Sequence, residues 1–248
     1  MNTAKAAEVP DADGCDEGSG AAQNHLLADL PPRDLERLRT AGEAVPLVVA
    51  QVLCEAGAVA RDVYFPLRGS ISLVTSLDEH PSLEVGMVGR EGMVGEAQVL
   101  GQERVPHRAL VQCEGLALRL GIVAFRAELR ASAALRQRLE RYIQVRLLQT
   151  ATATACMRFH LIQPRLARWL LMSQDRAGSD TVACTHEFLA AMLGVRRVGI
   201  TAAAGSLQRA GLIGYHRGLL TVRDRPGLMA AACSCYGADR AAYTSVMG

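Results

Sequence analysis

The residues with the most distinctive chemistry lie in one segment of the C-terminal third, Thr185–Ile213. Arg196 and Arg197 follow a glycine there and begin an apolar-periodic stretch. A planar guanidinium can donate two parallel hydrogen bonds to guanine O6 and N7. Thr201, about one helical turn further on, offers a hydroxyl that can meet a phosphate, as can the amino end of a helix. This combination indicates a surface that contacts nucleic acid.

The same segment predicts two helices that can position these groups. Thr185 reads as the N-cap of the first helix, and Gly194 ends that helix in a tight turn. The second helix begins at the two arginines and ends at Gly211, and its inner face is predicted to be small and apolar: Ile200, Ala203, Ala204 and Leu207. Two helices joined by a glycine-containing turn form a helix-turn-helix, whose second helix enters the DNA major groove.

A β-hairpin is predicted directly after these helices. Its strands are Leu212–Tyr215 and Leu219–Val222, and its turn is His216-Arg217-Gly218. Such a hairpin is the wing of a winged helix, and Arg217 at its tip would lie near a phosphate. The candidate DNA contacts are therefore Thr185, Arg196, Arg197, Thr201 and Arg217.

The distribution of charge supports this interpretation. Residues 1–155 hold 16 Lys and Arg and 20 Asp and Glu, whereas residues 156–248 hold 11 Arg and 5 acidic residues. The first part therefore has a net charge of −4 and the second of +6. A basic module on an acidic body is typical of nucleic-acid binding.

The N-terminal half shows a different pattern. Residues 1–22 have no periodicity and predict a disordered leader, and Pro31-Pro32 then opens a short helix. Short apolar runs between glycines and turn residues follow, and they predict a jelly roll or small sandwich. The predicted strands are Val48–Leu53, Val63–Phe65, Ser70–Leu77, Leu83–Val88 and Ala109–Leu120, with a turn over Asp78 to Pro81.

A long helix is predicted between these halves, from about Phe125 to Cys156, because that stretch contains no Pro or Gly. Its apolar stripe is Leu135, Leu139, Ile143 and Leu147, continued by small residues. Packing on the chain's own sandwich is one explanation. A helix of about 30 residues, roughly 45 Å long, would overhang so small a domain, so a dimer seam is favoured. A further helix is expected over Gln163–Ser173.

These patterns together resemble the Crp/Fnr family, the cyclic-AMP receptor protein superfamily, over roughly residues 25–225. The most specific matches are AxxLGVRRxxIT from Ala190, QRAGLI from Gln208, and GxxGE at Gly92–Glu96. The resemblance implies an α+β chain with a jelly-roll sensor, a dimerising helix and a winged helix, acting as a homodimer on a palindromic DNA operator. The expected segments are 1–22 leader, 23–129 sensor domain, 130–157 dimerisation helix, 158–230 winged helix-turn-helix and 231–248 C-terminal tail.

The resemblance also suggests where an effector would bind. In cyclic-nucleotide-binding members a Gly-Glu pair holds the ribose, and Gly95 and Glu96 match it. The Arg-Ser pair that holds the phosphate has no match, because His107 and Arg108 occupy those positions. Arg108 lies one residue out of register with the arginine of that pair, and a shift of one residue turns a strand side chain to the opposite face. Arg104 and Arg108 are retained as candidate ligand contacts, but a small-molecule effector other than a cyclic nucleotide is expected.

The remaining residues do not predict a catalytic or metal site. The seven cysteines are scattered, and Cys233 and Cys235 form a pair without a second ligand pair beside it in sequence. No cofactor, metal or catalytic residue is therefore expected, and an enzyme of the cupin type would need converging histidines. No membrane segment or export signal is predicted, so the chain is expected in the cytoplasm. The alternative is a cyclic-nucleotide-responsive sensor or regulator that acts through a protein partner.

Overall fold

The computed structural model describes residues 24–76 and 82–248. The predicted leader at residues 1–22 and the turn over Asp78 to Pro81 lie outside the described residues. The fold is α+β, as the sequence predicts, with a β-sandwich of the jelly-roll type first and a helix-turn-helix last.

The jelly roll follows two short helices, α1 His25–Ala28 and α2 Pro32–Ala41. Its strands within the described residues are β1 Glu43–Leu47, β2 Val52–Cys54, β3 Asp62–Thr75, β4 Leu83–Val88 and β5 Arg108–Gly121. All pairings are antiparallel, in the order β1-β5-β3-β4, with β2 also on β5. The sequence predicted Val63–Phe65 and Ser70–Leu77 as separate strands, but both lie on β3. Bulges near Gly69 interrupt the pairing of β3 with β5, which explains the break in the sequence pattern.

Two apolar clusters lie on opposite sides of the jelly-roll strands. One consists of strand residues and Val94: Leu47, Tyr64, Ile71, Leu73, Val88, Val94, Ala109, Val111 and Ala117. The other joins the outer side of the roll to the helices, and it includes Phe65, Leu120, Phe125, Leu135 and Leu139. The roll is therefore fixed against the helices that follow it.

The single long helix predicted from Phe125 to Cys156 is wrong, because the structure divides it at Ser132. Helix α3 spans Ile122–Ala131 and helix α4 spans Ala133–Phe159. The Ser132 hydroxyl accepts a hydrogen bond from the Leu135 amide at 3.0 Å and so caps α4. A serine is an N-cap signal even without a neighbouring Gly or Pro, and this signal was overlooked.

The apolar stripe of α4 serves two surfaces. Leu135 and Leu139 are fully buried in the chain's own core, so packing on the sandwich explains the first half of the helix. Leu147 is 67% exposed and Leu148 is 43% exposed. The second half of α4 therefore presents apolar side chains that nothing in the described residues covers.

The C-terminal part forms a winged helix. Its elements are α5 Ile162–Ala177, β6 Thr181–Ala183, α6 His186–Leu193, α7 Arg197–Arg209, β7 Ile213–His216 and β8 Leu219–Val222. The predicted hairpin is present as β7 and β8, and β6 adds a third strand in the order β6-β8-β7. The sequence analysis did not predict β6.

Two more helices follow the hairpin: α8 Arg225–Ala231, at the end of the expected winged-helix segment, and α9 Cys235–Met247, in the region that was expected to be a tail. Helix α9 runs antiparallel along α4. Its start lies at Cys156, since the Cys156 and Cys233 sulfurs are 3.5 Å apart, and its end lies at Arg138, which donates to the Met247 carbonyl at 3.4 Å. The C-terminal residues therefore form part of the helical layer on the sensor domain.

Among the described residues, no single helix is both long and apolar enough to cross a membrane. Only α6 and α7 taken together reach the required length and hydropathy, and they are bent by 109°.

Candidate nucleic-acid interface and effector pocket

Helix α7 has one buried and one exposed face. Its buried side chains are the four predicted ones, Ile200, Ala203, Ala204 and Leu207. The exposed face begins with Arg197 and Val198, and Val198 is 79% exposed. A large apolar side chain on an open helix face is suited to contact a thymine methyl group. The sequence analysis placed Val198 in this helix but did not identify it as a surface residue.

The turn before α7 sets the direction of this helix. Gly194 has a φ of +62°, a left-handed conformation that favours glycine, and it ends α6. The following chain bends by 109°, so that the amino end of α7 projects away from α6. Arg196 is the N-cap residue of α7 and Arg197 is its first residue, and both are exposed. Within residues 24–76 and 82–248, neither guanidinium has a carboxylate within 4.0 Å.

Thr185 and Thr201 make structural hydrogen bonds. The Thr185 hydroxyl accepts from the Phe188 amide at 3.0 Å, which confirms its predicted role as the N-cap of α6. The Thr201 hydroxyl lies 3.2 Å from the Arg197 carbonyl and 3.0 Å from His186 Nδ1. If the hydroxyl donates to the carbonyl, His186 donates to the hydroxyl. Thr201 therefore has a structural role as well as a position on the exposed face.

His186 joins three parts of the winged helix, although the sequence analysis treated it as an isolated histidine. Its ring stacks on Tyr215 of the wing with centroids 4.6 Å apart, while Nδ1 reaches Thr201 on α7. Burial lowers the pKa of His186, and the charge of Arg197 lowers it further. The neutral ring is thus favoured, and it orients the first turn of α7 relative to the wing.

The wing ends in a tight turn that exposes its basic tip. Arg217 and Gly218 have φ values of +48° and +83°, the pattern of a type I′ hairpin. Arg217 is exposed, in the position that the sequence predicts. The structure therefore presents Arg217 on the wing and the two arginines at the start of α7.

The effector candidates are only partly brought together. Gly95 precedes a short 3-10 helix, and a side chain there would collide with Val63, at 2.8 Å from its nearest carbon. Glu96 lies 3.8 Å from the Arg146 guanidinium of α4. Burial lowers the pKa of His107. The charge of Glu96 opposes this shift and the charge of Arg146 adds to it, so His107 lies within electrostatic range of the pair.

Arg104 and Arg108 have other partners. Arg104 donates to the Gly57 carbonyl at 2.6 Å, and Arg108 lies 3.5 Å from a Glu55 carboxylate oxygen. Arg108 opens β5 beside the buried Ala109, so its side chain takes the opposite face of the strand, as expected. Arg146 was missed because it is distant in sequence, and the structure makes it the arginine that accompanies Glu96.

The sensor and the winged helix meet along β4. The Leu83 side chain packs over Gly194 in the turn before α7, where an added Cβ would lie 2.8 Å from it. Glu84 accepts hydrogen bonds from Ser72 at 2.5 Å and from the Trp169 indole of α5 at 3.0 Å. Residues of β3 and β4 also join the main core of the winged helix.

Two family profiles match the chain. A cyclic nucleotide-binding domain matches residues 47–132, and a Crp-like helix-turn-helix domain matches residues 164–231. The first covers the jelly roll, and the second covers the winged helix. None of the curated proteins compared with the chain matches its sequence.

Solved structures of similar fold cover most of the chain. The c-di-GMP responsive global regulator CLP of Xanthomonas campestris is 16% identical, with a TM-score of 0.63, over 77% of this chain and 99% of that one. A crp/fnr-family regulator from Eubacterium rectale is 16% identical, with a TM-score of 0.65, over 84% and 99%. A CRP/FNR-family regulator from Thermus thermophilus is 23% identical, with a TM-score of 0.61, over 77% and 98%. At these identities the likeness concerns the fold.

Proposed function

This chain belongs to the Crp/Fnr family of transcription regulators, and we propose that it binds a palindromic DNA operator as a homodimer. The observation that carries the proposal is the exposed start of α7, where Arg196, Arg197 and Val198 project from a helix that is buried on its other side. No catalytic role is assigned. We expect the chain to act in the cytoplasm.

Each candidate residue has a distinct role in this proposal. Arg197 donates a bidentate pair to a guanine, and Val198 beside it contacts a base methyl group. Arg196 and Arg217 neutralise phosphates at the helix start and at the wing. Thr185 and Thr201 orient α6 and α7, and their exposed positions bring them near the backbone of the duplex.

A dimer follows from the exposed half of α4. Leu147 and Leu148 are large, exposed and on one helix, next to Ala151, Thr154 and Ala155, whose small side chains permit close approach of a second helix. Exposed apolar surface of this kind marks an interaction site. In a two-fold dimer two α7 helices would enter successive major grooves about 34 Å apart, which requires a palindromic site.

The effector of this regulator is not a cyclic nucleotide in our proposal. Glu96, which would hold the ribose, faces the Arg146 guanidinium, and the position expected to bind phosphate holds His107. A neutral imidazole is a poor substitute for a bidentate arginine on phosphate. An effector that reaches this group would meet Arg146, whose Nε has no hydrogen-bond partner among the described residues.

The DNA proposal is tested by selecting duplexes from a random library with the full-length chain and titrating the selected site at two salt concentrations. Arg197→Ala should weaken binding by about 1–3 kcal/mol and relax specificity at one position. Arg39→Ala, an exposed arginine on α2, is the matched control. If Arg197→Ala weakens binding equally for all DNA sequences and reduces the slope of log affinity against log salt concentration by about one, Arg197 contacts a phosphate and not a base. Unchanged binding would remove it from the interface.

The dimer is tested by sedimentation. Leu147→Glu should produce monomers and lose tight operator binding, whereas Val123→Glu should not, although Val123 is 80% exposed on α3. A wild-type chain that is monomeric at micromolar concentration would contradict the proposed seam.

The match to a cyclic nucleotide-binding domain supports one alternative, control by a nucleotide. The operator titration is therefore repeated with cyclic AMP, cyclic GMP and c-di-GMP, the last because it acts on the Xanthomonas regulator of similar fold. Binding that is the same in all conditions supports our proposal. Binding that requires a nucleotide would establish the alternative.

A further inference from the structure

Four metal-ligating side chains meet at the junction of α4, α8 and α9. They are Cys156, His160, Cys233 and Cys235, and their ligand atoms all lie within 4.8 Å of one another. The Cys156 and Cys233 sulfurs are 3.5 Å apart, and Cys235 Sγ is 3.5 Å from His160 Nδ1. The three cysteines are buried and His160 is half-buried. Neither DNA contact nor effector binding uses this group.

The backbone holds these four residues in place. Cys156 and His160 are four residues apart at the end of α4, so they share one helix face, and the His160 amide donates to the Cys156 carbonyl at 3.1 Å. Cys233 lies in the connection from α8 to α9, where its amide donates to the Pro164 carbonyl at 3.3 Å. Cys235 begins α9. Two ligand pairs that are 73 residues apart in sequence thus converge on one point.

Two of the ligand separations fit a tetrahedral zinc site, and all four ligand atoms lie within 4.8 Å of one another. With Zn–S bonds of about 2.3 Å and Zn–N bonds of about 2.0–2.1 Å, tetrahedral angles place ligand atoms about 3.5–3.8 Å apart. The Cys156–Cys233 and Cys235–His160 separations, both 3.5 Å, lie at the short end of this range. We propose that Cys156, His160, Cys233 and Cys235 bind one zinc-class divalent cation as a Cys3His site.

Neighbouring charges suit such a site. Three thiolates with one divalent cation leave a net negative charge, and Arg165 and Arg168 line the same cavity as Cys156. Arg168 is held by Asp239 of α9, with 2.5 Å between Nη2 and the carboxylate. Positive side chains beside a negatively charged site offset part of its charge.

The sequence analysis expected no metal because Cys233-x-Cys235 had no second ligand pair beside it. The structure supplies that pair, Cys156 and His160, from a different helix. A bound ion would join the end of α4 to the connection that follows the winged helix. It would therefore fix the point where the DNA-binding part leaves the dimer helix.

The test uses the full-length chain, purified with a reductant, stripped with a chelator and titrated with Co²⁺. We expect one Co²⁺ per chain, with the visible bands of a tetrahedral ion and a thiolate charge-transfer band, both displaced by one equivalent of Zn²⁺. Zn²⁺ should also raise the Tm of the stripped chain.

Two ligand variants and one control complete the test. Cys235→Ser and His160→Gln each remove a proposed metal ligand. Each should weaken Co²⁺ binding by more than about 10–100-fold, the loss caused by removing a residue that only supports a ligand. Cys54→Ser, a thiol of the sensor domain outside the cluster, should bind as the wild type does. Circular dichroism of the metal-free variants checks that they fold. The Co²⁺ spectrum of the wild-type chain tests the proposal even if a variant does not fold.

The proposal is overturned if the wild-type chain binds substoichiometric Co²⁺, gives an octahedral spectrum, or isolates with a Cys156–Cys233 disulfide and no metal affinity after reduction. Equal affinity in Cys235→Ser and the wild type would also overturn it. These results are independent of DNA binding, so failure of one proposal does not affect the other.

Discussion

Glu84 lies at the contact between the sensor and the winged helix, and replacing it should change how stability depends on pH. Its carboxylate accepts hydrogen bonds from Ser72 of β3 and the Trp169 indole of α5. Burial raises the pKa of Glu84 from 4.5 to about 7, although these two hydrogen bonds and the charges of Arg176 and Arg168 act in the opposite direction. The folded chain therefore favours the protonated carboxyl.

The sign and size of the effect follow from this shift. Between pH 4.5 and about 7 the folded state binds the proton and the unfolded state does not, so stability falls as the pH rises. The stabilisation is complete below the unfolded pKa and is lost as the pH passes the folded pKa. At about 1.4 kcal/mol per unit the shift sets a ceiling of about 3 kcal/mol. The Glu84 side chain is half-buried and not fully enclosed. Solvent screening of its charge therefore reduces this value to about 2 kcal/mol.

The assay is urea unfolding of the wild-type chain and of Glu84→Gln, followed by circular dichroism from pH 4.5 to 8. The neutral amide keeps the shape of the protonated side chain, so the two should be most nearly equal in stability at pH 4.5, the lowest pH of the series. Near pH 8 the variant should be more stable by about 2 kcal/mol. Glu36→Gln, an exposed carboxylate on α2, controls for loss of one charge. A difference between Glu84→Gln and the wild type that does not change with pH would refute the reasoning.

Three further changes test the packing by chemical unfolding. Leu139→Ala removes a fully buried side chain and should cost about 2–5 kcal/mol, whereas Val123→Ala, at an 80% exposed position, should cost far less. Thr185→Ala removes the cap of α6 and should cost about 1 kcal/mol, most of which Thr185→Ser should restore. Arg168→Met leaves the Asp239 carboxylate, whose side chain is 7% exposed, without its partner and should cost about 3–5 kcal/mol, part of which Asp239→Leu should recover.

The winged helix could be predicted because its signals are local. The N-cap at Thr185, the left-handed glycine at Gly194 and the hairpin turn at Gly218 each fix the backbone within a few residues. The buried face of α7 also follows from helical periodicity alone. The arginines at its start are exposed for another reason: Arg196 caps the helix and Arg197 is its first residue, so both lie at its open amino end.

The Glu96–Arg146 pair and the cysteine cluster could not be predicted, because both depend on contacts between distant segments. Arg146 reaches Glu96 from a helix 50 residues further along the chain. Cys156 meets Cys233 across 77 residues. Sequence spacing gives no information on such pairs until the packing of α4 on the sensor domain and of α9 on α4 is known.

The junction between the two domains explains how a signal could alter operator affinity. Val74 and Met87 of the sensor sheet are buried in the same core as the helices of the winged helix, and Leu83 covers the turn that directs α7. A shift of β4 would therefore displace the start of α7, unless the shared core separates. A ligand can move such an equilibrium only by the difference in its affinity for the two arrangements. On the proposals above, Arg146 of α4 would meet the effector, and the Cys156–His160 pair at the end of α4 would bind the metal ion. An effector at the first and a metal ion at the second would act on the same element, and their effects on DNA affinity should be coupled.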